Sequence, residues 1–113
     1  DDVGITEIQR IAEQVGKMLS ESLTAFARLD INLAKDIFER ERKVDKVYQS
    51  ALRSLATFMI EDPRNIGRVL NIVWIARSLE RVGDHATNIA EYVIYLVQGV
   101  DVRHPSVNEN SFT

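Results

Sequence analysis

Cysteine is absent from the 113-residue sequence, which excludes both a disulfide and a thiolate metal site. That absence suits a reducing compartment, and a cytoplasmic protein is the expectation. Proline stands only at positions 63 and 105, and glycine at 4, 16, 67, 83 and 99, so the chain between about residues 5 and 98 has few helix breakers. Positive charge is not in excess either. With 14 Lys and Arg against 17 Asp and Glu, the formal net charge is −3 and the basic footprint expected of a nucleic-acid binder is missing. Long hydrophobic runs are also lacking: Tyr92 to Val97 is far too short to cross a bilayer, and the opening Asp1 to Gln9 is polar and acidic, unlike a secretion signal.

What remains is an ordinary soluble composition, 45% apolar and 27% charged, in a chain long enough for one domain with a real core. In the first segment Ile5, Ile8, Ala12, Val15, Leu19, Ser22 and Phe26 follow three-four spacing, the mark of an amphipathic helix. Asp30 offers an N-cap for a second helix. Its seam reads Ala34, Ile37, Glu41, Val44, Tyr48, Ala51, Leu55 and Phe58, with Glu41 the single charged member. Asp62-Pro63 should end that helix and start the next, Asp62 as cap and Pro63 at the first helical position. The third helix carries two stripes, Ile72, Ile75, Leu79, Val82, Ala86, Ile89, Val93, Leu96 and Ile66, Val69, Val73, Ala76, Glu80, Gly83, Thr87, Ala90, Ile94, Val97, so it should pack on two neighbours until Gly99 stops it. These features predict an all-α, antiparallel up-down-up three-helix bundle over residues 1–100, followed by a flexible polar tail over 101–113.

One pattern occurs twice, as ERKVD at Glu41 to Asp45 and ERVGD at Glu80 to Asp84. Residues four apart on a helix differ in direction by only about 40°, so each Glu-x-x-x-Asp pair points one way. Glu41 and Asp84 are equidistant from the Asp62-Pro63 turn, and so are Asp45 and Glu80, which places four carboxylates at one level of the bundle. Asn88 and Glu91 lie along the same side of the third helix as weaker additions. At this height the first helix offers Gly16 to Met18 and no carboxylate, so the site should lie between helices two and three.

Charges 4 Å apart repel by about 4 kcal/mol per pair at an effective dielectric of 20, so something positive must sit near. Two readings stand. Arg42, Lys43, Arg77 and Arg81 could form surface salt bridges, each worth a few tenths of a kcal/mol. Alternatively the carboxylates hold a cation, for which magnesium, calcium, manganese, iron and zinc all suit oxygen donors. The placement of Glu41 and Glu80 within apolar seams favours the cation, because surface ion pairs need no seam position. A di-iron oxidase is disfavoured, since it needs Glu-x-x-His pairs and His85 points about 140° away from Glu80. No phosphate-cradling glycine loop, His-Glu-x-x-His helix or recognisable nucleophile is present. Gly83 reads as a close-packing point, and His85, His104 and Trp74 as surface or core-edge residues.

The stretch from Thr57 to His104, above all EDPRNIGR and ERVGDHATNIAE, resembles the PhoU family of phosphate-signalling proteins. The resemblance implies two tandem three-helix bundles, each with paired Glu-x-x-x-Asp motifs binding a multinuclear metal cluster associated with iron or zinc. This chain looks like the second bundle. The metal role then passes to Glu41, Asp45, Glu80 and Asp84, with manganese or magnesium as further candidates. The implied function is negative regulation of the phosphate-starvation response and of phosphate uptake, by a non-catalytic adaptor between a phosphate ABC transporter ATPase and a sensor histidine kinase. Contact with the membrane would be peripheral, through those partners, and a homodimer could stand in for the missing bundle. A metal-dependent phosphate-ester hydrolase and a metal-free helical assembly module are the alternatives.

Overall fold

The computed structural model of the chain describes residues 4–99. They form three α-helices, α1 (Ile5–Arg28), α2 (Ile31–Glu61) and α3 (Ile66–Gln98), running up, down and up, with each helix packed against both others. The expected tail over 101–113, with His104, lies outside the described residues.

The two turns are set by local chemistry. At the first, Leu29 takes a left-handed conformation at φ 52°, which lets the Asp30 N–H donate to the Ala25 carbonyl at 2.9 Å. The next helix then starts under Asp30, whose carboxylate accepts from the Leu33 N–H at 3.0 Å as the sequence predicts. At the second turn Asp62 caps Arg64, with the backbone N–H at 3.3 Å and the guanidinium Nε at 3.0 Å. The structure differs here in one detail: Pro63–Asn65 is a single 3-10 turn, and α3 proper begins at Ile66. A 3-10 turn suits this junction because Pro63 has no N–H to offer a longer ladder. Gly99 ends α3 at φ 70°, its N–H donating to the Tyr95 carbonyl at 2.7 Å, as expected.

The seam of α2 is where the sequence placed it, with Ala34, Ile37, Val44, Tyr48, Ala51 and Leu55 buried. Both stripes of α3 contribute to the core, though Ile66, Ile75, Leu96 and Val97 remain exposed. In α1 the buried face is Ile11, Val15, Met18, Ser22 and Ala25, which corrects the expected register. Ile5, Ala12 and Phe26 face outward. The reason is steric. Ala25, Ala34, Ala51, Ala76, Ala86 and Ala90 are all fully buried, and small side chains at the contacts let helix axes approach closely. Ala25 fits such a contact and Phe26 does not. Phe26 instead stacks on Tyr92 of α3 with ring centroids 6.2 Å apart.

Near the second turn the core narrows to a separate apolar cluster of Leu55, Val69 and Ile72, flanked by Ile8, Phe58, Met59 and Val73. Further up, the main core continues through Val44, Ala76, Ala86 and Val93. Within the span of this main core, at the level of Val44 and on the α2–α3 side, the carboxylate pairs enter.

Candidate functional site

A pocket of about 250 Å³ opens at the level of the repeated motif, and Glu41, Asp45, Glu80 and Asp84 all line it. The reflection about the second turn therefore brings the four expected carboxylates to one place. Glu41 and Glu80, the seam members, are half-buried, while Asp45 and Asp84 are exposed at the mouth. The first helix contributes more than expected: Ile11, Val15 and Met18 supply an apolar wall. A low-polarity wall strengthens every electrostatic interaction beside it.

The charges feel one another. Burial, then the carboxylates of Asp84, Glu91 and Asp45, pushes the Glu41 carboxyl above its ordinary range. Glu91 thus acts on the same group from one side of α3. Asn88 is placed elsewhere, in an apolar groove with Leu23, Phe26, His85, Ile89 and Tyr92 between α1 and α3. His85 is exposed in that groove, and Trp74 is exposed lower on α3.

The arginines do not close the pocket. Among the described residues, ion pairs join Arg40 to Glu21 at 2.8 Å, Arg42 to Glu39, and Arg64 to Asp62 at 3.0 Å. Arg42, at the rim, thus turns to a neighbour on its own helix face. Gly83 also lines the pocket and is buried, yet a methyl group there would meet only Val15 Cγ2, at 3.8 Å. That is ordinary van der Waals contact, so helix packing does not itself demand glycine at this position, contrary to the close-packing expectation.

Tyr48 is the site residue that the sequence pattern hides. It occupies the α2 seam seven residues after Glu41, two turns along the same face, and reads there as plain core. In the structure it lines the pocket with only 5% of its surface exposed. Burial first, and then the negative charge of the Glu80 carboxylate, raises the pKa of its phenol above the ordinary value.

The donor set has the chemistry of a hard-cation site: clustered carboxylate oxygens, acceptors only when ionised, around a partly desolvated pocket. It is not a closed coordination sphere as it stands. Among the described residues no three acidic or imidazole side chains already converge as a metal-holding group. A cation would have to draw the carboxylates inward by side-chain rotation, which their position at a pocket mouth permits.

Residues 8–93 match the model of the PhoU domain. The chain belongs to the PhoU family. Within it, the chain is 58% identical over 101 residues to a phosphate-specific transport system accessory protein PhoU homolog of Pseudomonas aeruginosa, covering 89% of this chain and 42% of that protein. It is 40% identical over 105 residues to the phosphate-specific transport system accessory protein PhoU of Escherichia coli, covering 93% and 44%. The crystal structure of PhoU from Pseudomonas aeruginosa is similar with a TM-score of 0.83 at 57% identity, over 86% of this chain and 46% of that one. The PhoU-type helical bundle expected from the sequence is thus the fold. These names describe accessory proteins rather than enzymes, in keeping with the non-catalytic expectation. The chain spans less than half the length of these relatives.

Proposed function

We propose that this bundle is the second of two in a phosphate-transport accessory protein that restrains phosphate uptake and the phosphate-starvation response. In this reading it works as a cytoplasmic, metal-binding adaptor between a phosphate ABC transporter ATPase and a sensor histidine kinase, touching the membrane only through them. The accessory names of its relatives support the transport side of the reading. The observation that carries the metal is the single pocket lined by Glu41, Asp45, Glu80 and Asp84 while the rim arginine pairs outside it. Those four residues would hold an iron or zinc cluster, or manganese or magnesium, with Glu91 behind Glu41. Bound, the cluster would neutralise the carboxylates and clamp α2 to α3, fixing one arrangement of the surface that partners meet. The exposed apolar residues of α1 and α3, Leu23, Phe26, Tyr92 and Leu96, offer a face for pairing two copies.

Elemental analysis of purified protein, set beside a Glu80→Ala/Asp84→Ala variant, tests the metal half. Stoichiometric metal in the parent and its loss in the variant is the expected result. Equal, negligible metal in both would leave the bundle as a metal-free assembly module.

A further inference from the structure

We propose that Gly83 is a size-determining residue of the carboxylate pocket: its missing side chain keeps the inner end of the cavity, between α3 and the α1 wall, open for cations and the water they carry. The inference rests on the cation reading above and deepens it, because it gives a role to a pocket residue that brings no side chain at all.

A glycine inside a helix needs a reason, since it weakens the helix relative to alanine. Three ordinary reasons fail at this position. The first is a left-handed backbone: among the described residues the glycines with positive φ are Gly4 and Gly99, at helix ends, whereas Gly83 lies well inside the unbroken α3. The second is close approach of a neighbouring helix. A Cβ at Gly83 would meet Val15 Cγ2 at 3.8 Å, an ordinary contact, and nothing else within 4 Å beyond its own stretch of helix. The third is a tolerated surface position, which describes Gly16 and Gly67, both exposed with nothing within 4 Å, but not the buried Gly83.

What surrounds the empty position is the pocket. Gly83 stands between Glu80 and Asp84 on α3 and lines the cavity of about 250 Å³ with them. The lining is graded. Asp45 and Asp84 are exposed at the mouth, Glu41 and Glu80 are half-buried, and Gly83 belongs with the buried Val44, Ile11, Val15 and Met18. Because the nearest neighbour of an added methyl is Val15 of the α1 wall, that methyl would take up cavity rather than fill a packing gap. Ile11, Val15 and Met18 offer no side-chain oxygen, so ions held by the four carboxylates must complete their ligand sets with water on that side. Water needs room, and the cavity is several times the roughly 30 Å³ that one molecule occupies in the liquid.

The test compares the parent protein with Gly83→Ala, Gly83→Leu and Gly16→Ala, each stripped of metal, melted, and titrated with Zn2+ and with Mn2+ by calorimetry. The two readouts should move in opposite directions. Metal-free Gly83→Ala should melt roughly 2–8 °C above the parent, because alanine favours the helix and meets no obstacle. Its metal affinity should nevertheless fall, and Gly83→Leu, which fills more of the cavity, should bind about tenfold more weakly than the parent or worse, with fewer ions per chain. Gly16→Ala, the exposed control, should gain stability without losing affinity. Should Gly83→Leu fail to fold, the opposite signs in Gly83→Ala still decide. Parent-like affinity and stoichiometry in the Gly83 variants would overturn the inference while leaving the cation site standing. A metal-free Gly83→Ala that melts below the parent would overturn it too, by showing that the glycine serves packing. An equal loss of affinity in Gly16→Ala would do the same, and a parent protein that binds neither ion would overturn the cation reading and this inference with it.

Discussion

The contact between α2 and α3 has two unlike halves. Near the second turn, Leu55, Val69 and Ile72 close on one another and are almost completely buried. Further up, the same two helices line a pocket edged by four carboxylates, and α1 supplies Ile11, Val15 and Met18 to its wall. The lower half is built from groups that gain by leaving water. The pocket, set into the main apolar core of Val44, Ala86 and Val93, collects groups that lose by it and repel one another besides. A helix pair that serves stability along its whole length has no reason to interrupt its seam in this way. The difference teaches that the apolar contacts, the lower cluster and the main core together, hold the bundle so that the pocket can keep its charges close.

That division can be broken from either side. The largest effect should come from Leu55→Ala, since Leu55 is 1% exposed at the centre of the lower cluster. Truncating such a side chain costs about 2–5 kcal/mol, and in a domain of this size each kcal/mol lowers the melting temperature by about 4–8 °C. Thermal denaturation followed by circular dichroism should show that fall with or without metal. A Leu55→Ala protein that melts like the parent would mean the lower half is not the stabilising one.

The smaller effect has the opposite sign. Glu41 carries a raised pKa in the folded protein, from burial and from Asp84, Glu91 and Asp45. A carboxyl whose folded pKa lies above its unfolded one favours folding while protonated, and that advantage is lost as pH rises through the folded pKa. Metal-free Glu41→Gln should therefore melt above the parent at neutral pH. The gain should shrink as pH falls and vanish below the unfolded value near 4.5. The gain should be small, because water still screens a partly exposed group. Melting curves of both proteins across that pH range check the sign, and a variant less stable than the parent at neutral pH would show that Glu41 stabilises the bundle.

The same contrast marks what was legible in the sequence. The lower half and the turns follow from pattern alone, because Leu55, Val69 and Ile72 sit on three-four spacing and Asp30 and Asp62 are caps whose chemistry is local. The level of the carboxylates also followed, since helices about a tight turn must mirror one another. The face of α1 did not. Apolar residues cover so wide an arc there, from Ile8 and Ile11 through Val15, Met18 and Leu19 to Phe26, that several registers satisfy the spacing, and only the buried alanines of the other helices choose. Asn88 was grouped with the pocket because it lies within a quarter turn of Glu80, but α3 faces two neighbours and that quarter turn carries it into the α1 groove. Tyr48 was hidden for another reason: position on a seam reports burial, whereas the pocket it lines is completed by residues of the other two helices.

Anomalous scattering from a crystal of the metal-loaded protein tests the central claim most directly, because it locates the ion and its ligands together. The account predicts one or more anomalous peaks between α2 and α3, within bonding distance of oxygens from Glu41, Asp45, Glu80 and Asp84. Peaks only elsewhere on the surface, with these four carboxylates bound to Arg42, Arg77 or Arg81 instead, would contradict it.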